Sequence, residues 1–143
     1  MQQTERLPRS VARLWGIAQR FQRFLLVGVV GLAVNQGMLM VLAGSFGMPV
    51  IAASPVAIVA SMAVTFLLNE TWTWHDRGAG RVLNRAMLYG AINSGGLLIN
   101  WGVLVWLDHH GILHYLAANL VGAGIAAVWN FGLNNAITWR AEE

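Results

Sequence analysis

Residues 50–68 read VIAASPVAIVASMAVTFLL, a run of 19 residues without a charged side chain. At about 1.5 Å of rise per residue, such a run covers the roughly 30 Å hydrocarbon layer of a bilayer and predicts a membrane-spanning helix. Pro55 falls in its first turns, where a missing N–H is tolerated. Three more stretches meet the same length: about Phe24 to Ala43, Met87 to Leu107 and Leu113 to Ile137. Gly44 to Pro49 and His109 to Ile112 are short, turn-forming connections, so the four spans pair into two helical hairpins. Composition agrees. Of 143 residues 57% are hydrophobic and 10% charged, with a mean hydropathy of +0.56, whereas a soluble domain carries about a quarter charged residues. The expected fold class is an all-α integral membrane protein.

The chain has nine arginines and no lysine. Arg6, Arg9, Arg13, Arg20 and Arg23 precede the first span, Arg77, Arg81 and Arg85 join the second to the third, and Arg140 follows the fourth. Short positively charged loops stay in the cytoplasm, so a four-span chain in the cytoplasmic membrane has both termini inside. No cleavable signal peptide is expected. Residues 1–22 read as a basic N-terminal segment ahead of a transmembrane domain over 23–140. At about 100° per residue its arginines gather on one side, opposite Leu7, Val11, Leu14, Trp15, Ala18 and Phe21. This predicts a short amphipathic interfacial helix lying along anionic headgroups; direct capture of a phosphorylated ligand is the alternative.

Several chemistries are excluded or unsupported. Without cysteine there are no disulfides, zinc–thiolate sites or cysteine nucleophiles. Without lysine there is no P-loop or Schiff-base lysine. No catalytic triad order, paired intramembrane carboxylates or HExxH occurs, so no enzyme activity, cofactor or nucleic-acid partner is expected. Asp108, His109, His110 and His114 cluster, but a metal needs three or four placed ligands, and a solvated loop is the expectation.

Shifted by 65 residues, the chain aligns with itself without a gap from Asn35 to His75 and from Asn100 to Arg140. The informative identities are Asn35 with Asn100, Asn69 with Asn134, Thr73 with Thr138 and Trp74 with Trp139. Two tandem hairpin repeats, about 23–75 and 85–140, are predicted; each has two spans, so they run parallel. The second helix of each carries a small or polar residue every fourth position: Ala53, Ala57, Ser61, Thr65, Asn69, and Ala118, Gly122, Ala126, Asn130, Asn134. Small residues let helices approach closely in lipid. The amides, with Asn35, Asn93, Asn100 and Asn119, need partners in hydrocarbon. Asn93 and Asn100 share a helical face by spacing, as do Asn119 and Asn130. Two readings stay open: a hydrated groove for a polar head group, or interhelical hydrogen bonding.

The stretches FLLNETWTW (66–74) and FGLNNAITW (131–139), with RFLLVGVVG (23–31) opening the first span, resemble the GtrA-like family over about residues 21–140. The resemblance implies four spans and a part in moving polyprenyl-phosphate-linked sugars across membranes, as a flippase for cell-surface polysaccharide synthesis. It equally implies the alternative of a scaffold that supports a glycosyltransferase using such lipids. The residue after the motif Asn is commonly basic in relatives but is Glu70 and Asn135 here, which weakens a phosphate-binding role at those sites.

A carrier need only shelter the head while the tail stays in lipid. Asn35, Asn69, Asn93, Asn100, Asn119, Asn130 and Asn134 suit sugar hydroxyls, and Glu70 is either a head-group contact or an interfacial carboxylate paired with Arg77, Arg81 or Arg140. Arg23, Arg77, Arg81 and Arg85 suit the phosphate, with snorkelling as their alternative role. Trp72, Trp74 and Trp139 read as belt anchors at headgroup level, with stacking on the sugar as the alternative. A proton-coupled exporter is disfavoured because residues 24–43 lack a carboxylate. Four helices enclose little volume, so a homodimer is expected, with the small-residue row as its interface.

Overall fold

The computed structural model describes residues 8–141, with only the backbone of Tyr115 and Leu116. Arg6 and Leu7 of the basic segment lie outside these. The described chain is helical: α1 (Arg9–Leu39), α2 (Val50–Leu68), α3 (Val82–His109) and α4 (Tyr115–Leu133). π-helical turns follow three of them, at Met40–Ser45, Asn69–Thr73 and Asn134–Thr138. All four helices are long and apolar enough to cross a membrane, and at most 22% of each one's most apolar window is buried within the chain. Side chains such as Leu32, Ile51, Leu98 and Leu120 point outward, as lipid solvation requires. The protein is a multi-pass membrane protein.

Residues α1 and α2 form one compact unit and α3 and α4 another, divided between Thr73 and Trp74. In the first unit, α1 starts behind Pro8, the N-cap, whose φ of −49° and ψ of 141° are the extended backbone usual at that position. It then runs unbroken to Leu39, about 46 Å at 1.5 Å per residue. From Arg9 onward the basic segment is therefore continuous with the first span, with no break between them. The turn to α2 passes through Gly47 at φ +67°, a conformation only glycine adopts without strain. Phe24, Val27 and Gly31 are the buried face of α1, against Ala53, Ala57, Thr65 and Phe66 of α2. Ser61 Oγ donates to the Gly31 carbonyl at 2.7 Å. A Cβ at Gly31 would overlap the Thr65 methyl.

In the second unit α3 ends at a turn where Gly111, at φ +62°, donates its N–H to the Asp108 carbonyl at 3.0 Å. The seam with α4 runs through Gly96 on α3 and Ala118, Gly122 and Ala126 on α4 and ends at Asn134 in the π turn, all buried. The small-residue rows thus close each hairpin upon itself. Being covered within the chain, they are not free to serve as a dimer interface.

Candidate functional site

The repeated motif builds a lock at the end of each hairpin's second helix. Thr73 Oγ1 donates to Asn69 Oδ1 at 2.8 Å, and Thr138 Oγ1 to Asn134 Oδ1 at 2.7 Å. Both amides are fully buried. Each pair closes one π-helical turn, a form found mostly as single turns, frequently at functional sites; in the second, Trp139 N–H reaches back five residues to the Asn134 carbonyl at 2.8 Å.

The tryptophans that follow depart from the belt expectation. Trp74 and Trp139 are buried, at 0% and 1% exposure, and stack with centroids 4.4 Å apart and planes 5° from parallel. Tyr89 meets Trp139 edge-on at 5.7 Å and Phe131 lies 5.9 Å from Trp74. The helix ends at Thr138, and Trp139 at φ −119°, ψ 54° has left it, so helical phase no longer dictates which way the ring faces. Of the three rings only Trp72 is exposed, in the first unit. Asn135 holds the second unit's end together, its Oδ1 accepting from Trp74 Nε1 at 3.1 Å and Arg77 Nη1 at 3.0 Å. Sequence reasoning missed both the stack and this hub; the adjacency of Asn135 to the motif amide was the one available signal.

Five other amides fall in different settings. Asn35 is half-buried on α1. Asn93 donates Nδ2 to the Tyr89 carbonyl, one turn back on its own helix, at 2.8 Å. Asn100 and Asn130 face glycines across the α3–α4 seam: a Cβ at Gly122 would overlap the Asn100 amide, and one at Gly96 the Asn130 amide. Asn119 is exposed and stands outside the seam. The seam follows the every-fourth-residue row, which drifts about 40° per step around an α-helix. At the start of α4 it therefore runs through Ala118 and leaves Asn119 aside. Asn100 Oδ1, Asn130 Oδ1 and Asn134 Nδ2 are buried and have no hydrogen-bond partner.

The charged candidates are equally uneven. In the first unit, the Arg23 guanidinium sits 5.8 Å over the Trp72 ring and donates to the Trp72 carbonyl at 3.3 Å, and Glu70 is half-buried in the π turn. In the second, Arg77 also donates to the Trp139 carbonyl at 3.3 Å, and Arg81 is exposed just before α3. Arg85 is buried, its Nη1 within 3.1, 2.7 and 2.9 Å of the carbonyls of Gly78, Ala79 and Gly80. This carbonyl cage solvates the buried cation and pins the loop.

An open recess of about 500 Å³ lies beside the α3–α4 seam, lined by Gly102, Val103, Trp106, Leu107, Val121 and Ile125. Its walls are apolar, suited to hydrocarbon and not to a sugar or phosphate. No group of three or more potential metal ligands occurs among the described residues.

Paired helical hairpins with buried amides and Asn–Thr locks define a small helical membrane domain. Residues 23–139 match the GtrA/DPMS transmembrane domain, and the chain belongs to that family. It is 29% identical over 124 residues to a dolichol-phosphate mannosyltransferase of Pyrococcus furiosus, an alignment that takes in 87% of this chain and 35% of that protein. The chain thus spans about a third of that relative's length. The family is linked to the handling of polyprenyl-phosphate sugars.

Proposed function

We propose that the protein is a carrier that moves a polyprenyl-phosphate-linked sugar across the cytoplasmic membrane for cell-surface glycan synthesis, and that it is not itself an enzyme. The observation that carries this reading is the family match over residues 23–139, joined to a relative whose name specifies dolichol phosphate. Amides at the depth of apolar helices support it: they hydrogen-bond hydroxyls without fixing a charge that would trap the lipid. The candidate sugar contacts are Asn35, Asn69, Asn93, Asn100, Asn119, Asn130 and Asn134, with Glu70 at the rim. The phosphate is assigned to Arg23, Arg77 and Arg81 on the cytoplasmic side, while Arg85 acts by holding the loop between Arg77 and Arg81. Flux follows the lipid's gradient, maintained by synthesis on one face and consumption on the other.

A second reading has its own support. The relative named as a mannosyltransferase is about three times as long as the matched segment, so a family domain of this kind also occurs within a chain that bears a transferase's name. A scaffold would hold a separate transferase at the membrane and leave lipid crossing unchanged. The first test is the lipid that co-purifies. Mass spectrometry of protein extracted in mild detergent is expected to show a polyprenyl-phosphate-linked hexose at near-stoichiometric level; phospholipid alone would contradict the carrier reading, and a co-purifying transferase would favour the scaffold.

A further inference from the structure

We infer that the α3–α4 seam, and not the α1–α2 seam, receives the sugar, with hydroxyl protons donated to the amide oxygens of Asn100 and Asn130. The inference rests on the carrier reading and narrows it to one hairpin. The two seams differ in what their polar groups have left to offer. In the first, Thr65 Oγ1 is engaged by the Ser61 and Met62 carbonyls at 2.9 and 3.1 Å, and Ser61 Oγ by the Gly31 carbonyl at 2.7 Å. The repeat replaces Thr65 with Asn130 and Ser61 with Ala126. The second seam consequently holds two buried oxygens without donors, on Asn100 and Asn130, and one N–H group without an acceptor, on Asn134.

That set specifies its ligand. Orphaned amide atoms cost folding free energy, most of all where no water reaches them. Two acceptors and one donor are complemented, one after another along the seam, by hydroxyl groups, which both donate and accept and of which a sugar ring carries several. An ionised phosphate offers acceptors only and cannot satisfy the two oxygens; a hydrocarbon tail offers nothing. The placement fits passage. Asn134 stands at the end of the seam, Asn130 one turn inward, and Asn100 at the level of Gly122, about 18 Å from Asn134 along α4 at 1.5 Å per residue. Gly96 and Gly122 leave room for the two amides in the seam.

The test uses the full chain in lipid nanodiscs and two probes, a polyprenyl phosphate bearing mannose and the same polyprenyl phosphate without sugar. Asn100→Leu and Asn130→Leu are expected to weaken binding of the sugar lipid about tenfold each and to leave binding of the bare phosphate unchanged. Thr65→Val, in the first seam, is expected to alter neither. Hydrogen exchange on the wild-type chain covers the case of a misfolded variant: the sugar lipid, and not the bare phosphate, should change protection along α3 and α4 while α1 and α2 stay as they were. Unaltered sugar-lipid binding in both Asn variants, an equal loss in Thr65→Val, or equal protection changes in both hairpins would overturn the inference while leaving the carrier reading standing. A wild-type chain that binds neither probe would instead remove the carrier reading itself.

Discussion

Asn134 shows how one side chain carries both stability and recognition: its oxygen holds the Thr138 hydroxyl while its N–H₂ group stays unmet. Removing either threonine hydroxyl takes away the donor that the buried motif amide receives. Thr138→Val and Thr73→Val are each expected to destabilise the protein by about 1–3 kcal/mol, measured as a lower unfolding midpoint in detergent, with size and helix content unchanged. Trp139→Ala removes one ring of a stack whose centroids are 4.4 Å apart and should cost about 3–5 kcal/mol; a belt anchor would cost far less. These residues were visible in the sequence as a repeated motif. Their directions were not, because composition at headgroup level is the same for a ring that faces lipid and one that faces its twin, and the chain leaves helical phase at the π turn.

At the scale of helices, each seam depends on where glycine is compulsory. Gly31 and Gly96 face side chains that a Cβ would overlap, whereas Gly28 and Gly37 have nothing within 4 Å. Gly31→Ala and Gly96→Ala are therefore expected to lower stability by about 1–3 kcal/mol through overpacking, and Gly28→Ala and Gly37→Ala to be neutral or to raise it by up to about 1 kcal/mol. Thermal unfolding of the four variants in one detergent checks the sign of each. The span α2 was readable to the residue, since Val50 to Leu68 is bounded by Pro49 and by the polar motif. The π turns were not readable, for they reflect how Asn69 and Asn134 pack and carry no compositional signature. The every-fourth-residue rows were read as close-packing stripes, but only the structure shows that they are used up inside each hairpin and that Asn119 falls outside.

Over the whole chain, outward-facing apolar helices place the protein in a bilayer, and the nine arginines of the sequence carry the proposed orientation. The proposed orientation is testable because the chain has no cysteine of its own. Single cysteines at Phe46 and Ile112, both exposed, should react with an impermeant maleimide on intact cells, and one at the exposed Arg81 only after lysis; the reverse pattern would invert the topology. The central claim is transport. Purified protein reconstituted in liposomes with a labelled polyprenyl phosphosugar should bring head groups to the opposite leaflet faster than protein-free liposomes do, and Asn130→Leu should abolish the acceleration while remaining folded. A wild-type rate equal to that of empty liposomes would contradict the carrier account.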